Sequence, residues 1–168
     1  LVREVLSRLR PELDQARCEA IVRIRPQVLG SWDRSRLDQL ITNLIVNAAK
    51  FGAGRPIEIE VGEQHGKAYV SVRDHGIGIP PEQQAHIFER FGRAVSATHY
   101  GGLGLGLYIC RKIVEQHGGS IAVKSELGLG AVFIAELPSA LEQDGHVRGA
   151  NAGPPGGRAV AAEGKRVA

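Results

Sequence analysis

From Leu37 to Ala48 apolar residues return every three or four positions (Leu37, Leu40, Ile41, Leu44, Ile45, Ala48), which predicts an amphipathic helix over about 34–50. Asp33 stands where a side-chain oxygen can cap its first turn. A second helical run starts near 106. There Leu107, Cys110, Ile113, Val114 and His117 share one side at about 100° per residue, and Gly118-Gly119 stops it. Elsewhere the period is two. Residues 20–25 (AIVRIR) read as a strand ended by Pro26. Ile57, Ile59 and Val61 alternate with Glu58 and Glu60, and Ala68–Val72 alternates again after a turn, predicting an antiparallel hairpin with one wet face. Ile121 and Val123, a turn at Gly128 and Gly130, and Val132–Leu137 ending at Pro138 predict a second pair of strands.

Between these elements the pattern weakens. Residues 1–17 place Val2, Val5, Leu6 and Leu9 at helical spacing until Pro11 interrupts, as at the end of a helical connector. Glu82–Arg93 reads as a short helical piece carrying Phe88 and Phe91. Ala94–Tyr100 has no period and suits a mobile lid. Residues 141–168 turn to Gly, Ala, Pro and charge without an aromatic, as in a disordered tail. Residues 18–140 are left as one domain. A hydrophobic fraction of 43% beside 23% charged residues is ordinary for a soluble globular chain, and no apolar run nears the length of a membrane span. Leu1 in place of a start methionine, and no Met anywhere, read as an excised fragment. Cys18 and Cys110 lack metal-ligand or redox spacing, so both are expected to be inert thiols in a reducing compartment. The net charge of +3 is too mild and too poor in aromatics for a nucleic-acid site.

Three stretches carry candidate chemistry. On the wheel of the first long helix, Asn43, Asn47 and Lys50 fall within roughly 60°, beside the apolar stripe. Two carboxamides and an ammonium can bond a neighbouring loop, or they can face a hydrated Mg²⁺ and phosphate oxygens. Asp74 ends a strand and is followed by Gly76 and Gly78, a short floor for a flat ligand. An ionised carboxylate only accepts hydrogen bonds, so it selects an amino group such as that of adenine. Gly102, Gly104 and Gly106 lead into the second helix, whose N-terminus suits an anion.

Together these pieces resemble the catalytic, ATP-binding domain of bacterial sensor histidine kinases. LDQLITNLIVNAAKF (37–51) is similar to that family's asparagine box and DHGIGI (74–79) to its first glycine box. IFERFGRA (87–94) is similar to its phenylalanine box, GGLGLGL (101–107) to its second glycine box and GLGAVFIAELP (128–138) to its final hairpin. The resemblance spans about 20–138. It implies an α+β fold, the two-layer sandwich of the GHKL (Bergerat) type, with a mixed sheet of about five strands against three helices.

The resemblance also implies roles. Asn47 becomes the Mg²⁺ ligand, with Asn43 near phosphate and metal and Lys50 on phosphate. Phe51 lies against adenine, Asp74 takes its amine, and Gly76, Gly78 and Ile79 shape the base pocket. Arg90 and Arg93 reach the phosphates from the lid, while Gly102, Leu103, Gly104, Leu105, Gly106 and Leu107 close over them. The implied chemistry is transfer of the γ-phosphoryl group of ATP to a histidine on an upstream dimerisation helix, in a homodimeric parent that serves a response regulator receiver domain. A cytoplasmic domain, in a parent that can be membrane-anchored, follows. No histidine present (65, 75, 86, 99, 117 or 146) has the setting of the phospho-acceptor, and residues 1–17 would be the stub of the missing helices. Leu103 and Ala131 replace a commoner Ser or Thr near phosphate and adenine. The alternatives are a serine kinase of the anti-sigma type, a hydrolase, or a nucleotide-sensing module without transfer.

Overall fold

The computed structural model describes residues 1–25, 28–52, 54–92 and 104–139. In chain order the elements are α1 (Val2–Arg8), α2 (Arg10–Ala16), β1 (Ala20–Ile24), α3 (Arg34–Gly52), β2 (Ile57–Gln64) and β3 (Lys67–Asp74). These are followed by α4 (Pro81–Gln84), α5 (Gly106–Gln116), β4 (Ser120–Glu126) and β5 (Gly130–Pro138). One mixed sheet runs β1-β2-β3-β5-β4, with β1 parallel to β2 and every other pair antiparallel.

The period-two strands explain the two layers. Ile57, Ile59, Val70, Val72, Phe133 and Ala135 point to one face and are buried, while Glu58, Glu60, Lys67 and Arg73 alternate to the other. The apolar stripe of α3 covers the buried face, with Leu40, Leu44 and Ile45 fully enclosed. Each such side chain contributes about 1.5–3 kcal/mol by leaving water. Cys110, Ile113 and Val114 on α5 join the same core, so the wheel positions expected to face inward do. Val2 and Val5 of α1, Leu13 of α2 and Leu9 between the two belong to that cluster as well. Exposed Arg8–Asp38 (2.6 Å) and Arg34–Glu4 pairs run between these short helices and α3.

The start of α3 is fixed as its sequence indicated. Asp33 Oδ1 accepts from Ser35 N (2.8 Å), Ser35 Oγ (2.6 Å) and Arg36 N (3.2 Å). The same residue ties α3 to α5, because its own N–H donates to His117 Nε2 at 3.0 Å while His117 Nδ1 donates to Ile113 O at 2.8 Å. The Ser35 hydroxyl, then the first-turn amides, hold the Asp33 carboxyl below the usual carboxylate range. Stabilisation from a lowered carboxyl is present at neutral pH and is lost as pH falls through the folded-state value. Asp33→Ala is expected to lower the urea midpoint at unchanged slope, with Asp33→Asn retaining most of the capping.

One helix is shorter than its sequence predicted. The piece expected over 82–93 is helical only from Pro81 to Gln84, and turns follow through Phe91. Phe91 takes a left-handed φ of 67°, which a continuing helix excludes. Ile87 and Phe88 are nevertheless buried, and Phe88 meets Phe133 edge-on at 6.3 Å between ring centres. Both cysteines are buried free thiols, as expected.

Candidate functional site

The site gathers where β3 ends. Asp74 pairs in register with Ala131 at the start of β5 and is only 4% exposed. Burial raises its carboxyl above the usual range, opposed by the backbone amides of Gly76 and Ala131. The Gly76 N–H donates to Oδ1 at 2.9 Å, so the carboxylate turns its own loop back beneath it. A buried carboxylate with amides on one side, and no cation in contact among the described residues, can accept a further donor.

The loop after Asp74 is wedged between two pieces of backbone. A Cβ on Gly76 would overlap the Phe51 carbonyl at the end of α3. One on Gly78, at φ 70°, would overlap the Glu126 carbonyl at the end of β4. The two glycines therefore let the loop lie flat against α3 on one side and the β4–β5 hairpin on the other. Ile79 closes it from below and is buried. The outer surface is clamped too. Arg55 donates to the His75 carbonyl, and His75 Nε2 meets Glu58 Oε1 at 2.9 Å while Arg23 holds Oε2 at 3.1 Å. His75, then Arg23, keep the Glu58 carboxyl low.

Helix α3 carries the polar arc expected of it, with Asn43, Asn47 and Lys50 all half-buried. Its C-terminal end, at Phe51 and Gly52, reaches the Asp74 loop, with the Lys50 ammonium 5.0 Å from the centre of the Phe51 ring. Its middle meets α5, where Asn43 Nδ2 donates to the Gly106 carbonyl at 3.3 Å. Burial pushes the Cys110 thiol up to about 12, opposed by the nearby Asn43 side chain. Asn43 thus engages the first turn of α5, while Asn47 lies one turn nearer the end of α3 that reaches Asp74. Leu105 precedes α5 and Gly106 opens it, so Gly106 belongs to the helix rather than to a turn; Leu107 packs on the core.

Arg90 lies over the exposed Phe91 ring at 5.1 Å, and Gly104 stands against the backbone of Phe91 and Gly92. Arg93, Gly102 and Leu103, the expected lid over 94–100, His99, His146 and the tail 141–168 lie outside the described residues. Sequence reasoning missed Ser125, whose hydroxyl bonds the loop at Ile79, and Gln84, which bonds both. A signal existed for Ser125. It continues the inward alternation of Ile121 and Val123 with a polar residue.

Comparison with known proteins identifies the family and the fold. The profile of the family described as histidine kinase-, DNA gyrase B-, and HSP90-like ATPase matches residues 32–141. The sensor protein SrrB of Staphylococcus aureus (strain NCTC 8325 / PS 47) is 46% identical over 111 residues, 64% of this chain and 19% of that protein. The chain thus spans less than a fifth of the length of the curated relatives it matches. Full-length ShkA in complex with AMPPNP superposes with a TM-score of 0.74 at 31% identity, over 83% of this chain and 29% of that one. The nucleotide-free catalytic domain of histidine kinase ThkA gives 0.71 at 32%, over 82% of this chain and 90% of that one. ThkA in complex with response regulator protein TrrA gives 0.67 at 30%, over 84% and 40%. The expected sandwich of a five-stranded mixed sheet and helices is the one observed. The chain belongs to the histidine kinase-, DNA gyrase B- and HSP90-like ATPases, and within them it is homologous to the sensor histidine kinases.

Proposed function

We propose that this is the catalytic domain that binds Mg-ATP and presents its γ-phosphoryl group to a histidine on an upstream dimerisation helix. The observation that carries the reading is the buried Asp74 carboxylate above the flat Gly76–Ile79 loop. That pair selects a planar base with an exocyclic amine. Phe51 offers the base an apolar face. The polar arc of α3 then takes the phosphates, with Lys50 neutralising charge and Asn47 offering a carboxamide oxygen. Phosphoryl transfer asks a protein mainly for alignment and charge compensation. The groups on this chain hold, align and neutralise; the nucleophile comes from elsewhere.

The donors fit a hydrated Mg²⁺ shared with a nucleotide. Among the described residues no three His, Cys, Asp or Glu side chains cluster to hold a metal alone. Asn47 would supply one oxygen, and phosphates and water the rest, the habit of this cation. When bound, it offsets charge on the β- and γ-phosphates. Asn47→Ala is expected to leave metal-free nucleotide affinity nearly unchanged and to remove most of the gain that Mg²⁺ provides. Calorimetric titrations with and without the cation check this.

Among the described histidines, His65 sits in the β2–β3 turn, His75 is clamped by Glu58, His86 is exposed beside Glu89, and His117 ties two helices. None is presented to the site as an acceptor. Residues 1–17 then lead from the dimerisation helices of a homodimeric parent, and 18–140 form the catalytic unit. ThkA with its response regulator supports a receiver domain as the next partner. We place the domain in the cytoplasm with that receiver; among the described residues no helix is long and apolar enough to cross a membrane. The test joins the chain to its upstream helices and supplies γ-labelled ATP. Acid-labile phosphate on an upstream histidine is the expected product. Acid-stable label, or none while nucleotide binds, would favour the serine kinase or the sensing module.

A further inference from the structure

The β4–β5 hairpin and α4 meet behind the loop after Asp74. The Ile79 N–H donates to Ser125 Oγ at 2.8 Å, and that hydroxyl donates onward to the Gly130 carbonyl at 2.6 Å. Gln84 Nε2 lies 2.9 Å from the Ile79 carbonyl and 2.8 Å from the Ser125 carbonyl. Flipping that amide would set its oxygen against two carbonyls, so the network fixes its orientation. The Gly128 N–H donates to the Ile77 carbonyl at 2.7 Å. Ser125, Ala131 and Asp74 also form one row across β4, β5 and β3. Ala131 puts only a methyl between them, so the Ser125 hydroxyl is the sole side-chain oxygen in that row besides the carboxylate.

We propose that Ser125 and Gln84 are positioning residues that set the seat of the base. They tie Ile79 to the β4–β5 hairpin and to α4, beside the backbone bond that holds Ile77, and so fix the loop's distance from the Asp74 carboxylate. This rests on reading Asp74 as the partner of an exocyclic amine. Neither residue touches the nucleotide. Their effect is on selectivity, because a loop that shifts lets a base slide from Asp74 while its phosphates stay held by α3. A base with a carbonyl in place of the amine gains little from Asp74 in the first place and has little to lose.

Titration of the chain with ATP and with ITP tests this. Ser125→Ala is expected to weaken ATP about tenfold, the scale of one net hydrogen bond and its strained neighbours, and ITP hardly at all. Ser125→Thr keeps the hydroxyl and restores the wild-type preference. Gln84→Glu, which sets a carboxylate oxygen against two carbonyls, should resemble Ser125→Ala. Equal losses for both nucleotides, or no rescue by threonine, would overturn the proposal. Amide hydrogen exchange gives a nucleotide-free arm. Ser125→Ala should speed exchange at Ile79 while the interior of β3 stays protected, and unchanged protection of Ile79 would also overturn it. A wild-type chain that binds neither nucleotide would instead refute the reading of Asp74, leaving exchange to decide the clasp.

Discussion

Asp74→Asn is expected to weaken adenine nucleotide binding a hundredfold or more while the ligand-free chain stays folded. The carboxylate is buried with amides on one side, so the proposed amine would meet its remaining acceptor capacity. An amine hydrogen-bonded to a charged acceptor gains about 1.5–3 kcal/mol, and an asparagine NH₂ turned toward that amine would leave buried donors unpaired at about 1–3 kcal/mol. Together these give roughly 2.5–6 kcal/mol, or about a hundredfold and upward in Kd. Stability follows a different sign. Burial raises this carboxyl, so the stabilisation tied to its proton is full at acid pH and lost as pH rises through the folded-state value. At neutral pH the ligand-free protein therefore carries the cost of an ionised, desolvated Asp74. Asparagine removes that charge and keeps an acceptor for Gly76, so its melting temperature should stay within a few degrees of wild type. Binding has its own pH dependence. Nucleotide affinity is expected to fall on acidification at a higher pH than an ordinary aspartate would produce, which titrations across the acid range can read.

Gly76→Ala is expected to damage both fold and binding. The new methyl would collide with the Phe51 carbonyl and approach the Gly52 Cα to 2.9 Å, and neither is the tip of a flexible side chain. Either the loop lifts from Asp74 or the last turn of α3 shifts. Overpacking of this kind costs about 1–3 kcal/mol, which lowers Tm by roughly 2–12 °C in a domain of this size. Lifting the loop also breaks the Gly76 N–H bond to Asp74, so nucleotide binding should vanish together with the stability. Gly106→Ala is the contrast. Its methyl would find Asn43 no nearer than 3.8 Å, and a helix favours alanine, so thermal stability should hold or rise. Thermal melts of the two variants side by side separate the cases.

The elements carried by a strong local period were legible in the sequence. The stripe from Leu37 to Ala48 gave α3, and the polar arc beside it already grouped Asn43, Asn47 and Lys50. Alternation gave the β2–β3 pair and the closing strands, and Asp74 announced itself as a charge at the end of a buried strand. What stayed hidden depends on contacts between distant residues. Helix α4 stops after Gln84, whose side chain reaches Ser125, 41 positions away, and no local period encodes that bond. The bond from Asn43 to Gly106 spans 63 positions and gives one asparagine of the pair a tie to α5 that its wheel position left open. The clasp at Ser125 showed only as one polar residue on an inward face. In the sequence, Gly76 and Gly78 read as a short floor for a flat ligand, with nothing local to show what packs against them. Their need for glycine comes from the Phe51 and Glu126 carbonyls packed against them.

The central claim is that Asp74 and its loop seat the base of a nucleotide whose phosphates lie along α3. Melting the wild-type chain and Asp74→Asn against rising Mg-ATP, with Mg-ADP in parallel, tests it most directly. Ligand bound only by the folded state at 100 times its Kd adds about 2.7 kcal/mol, an easily read rise in Tm. A saturable rise in the wild type, lost in Asp74→Asn, is the result this account predicts. No rise with either nucleotide at millimolar concentration, or an equal rise in both proteins, would contradict it.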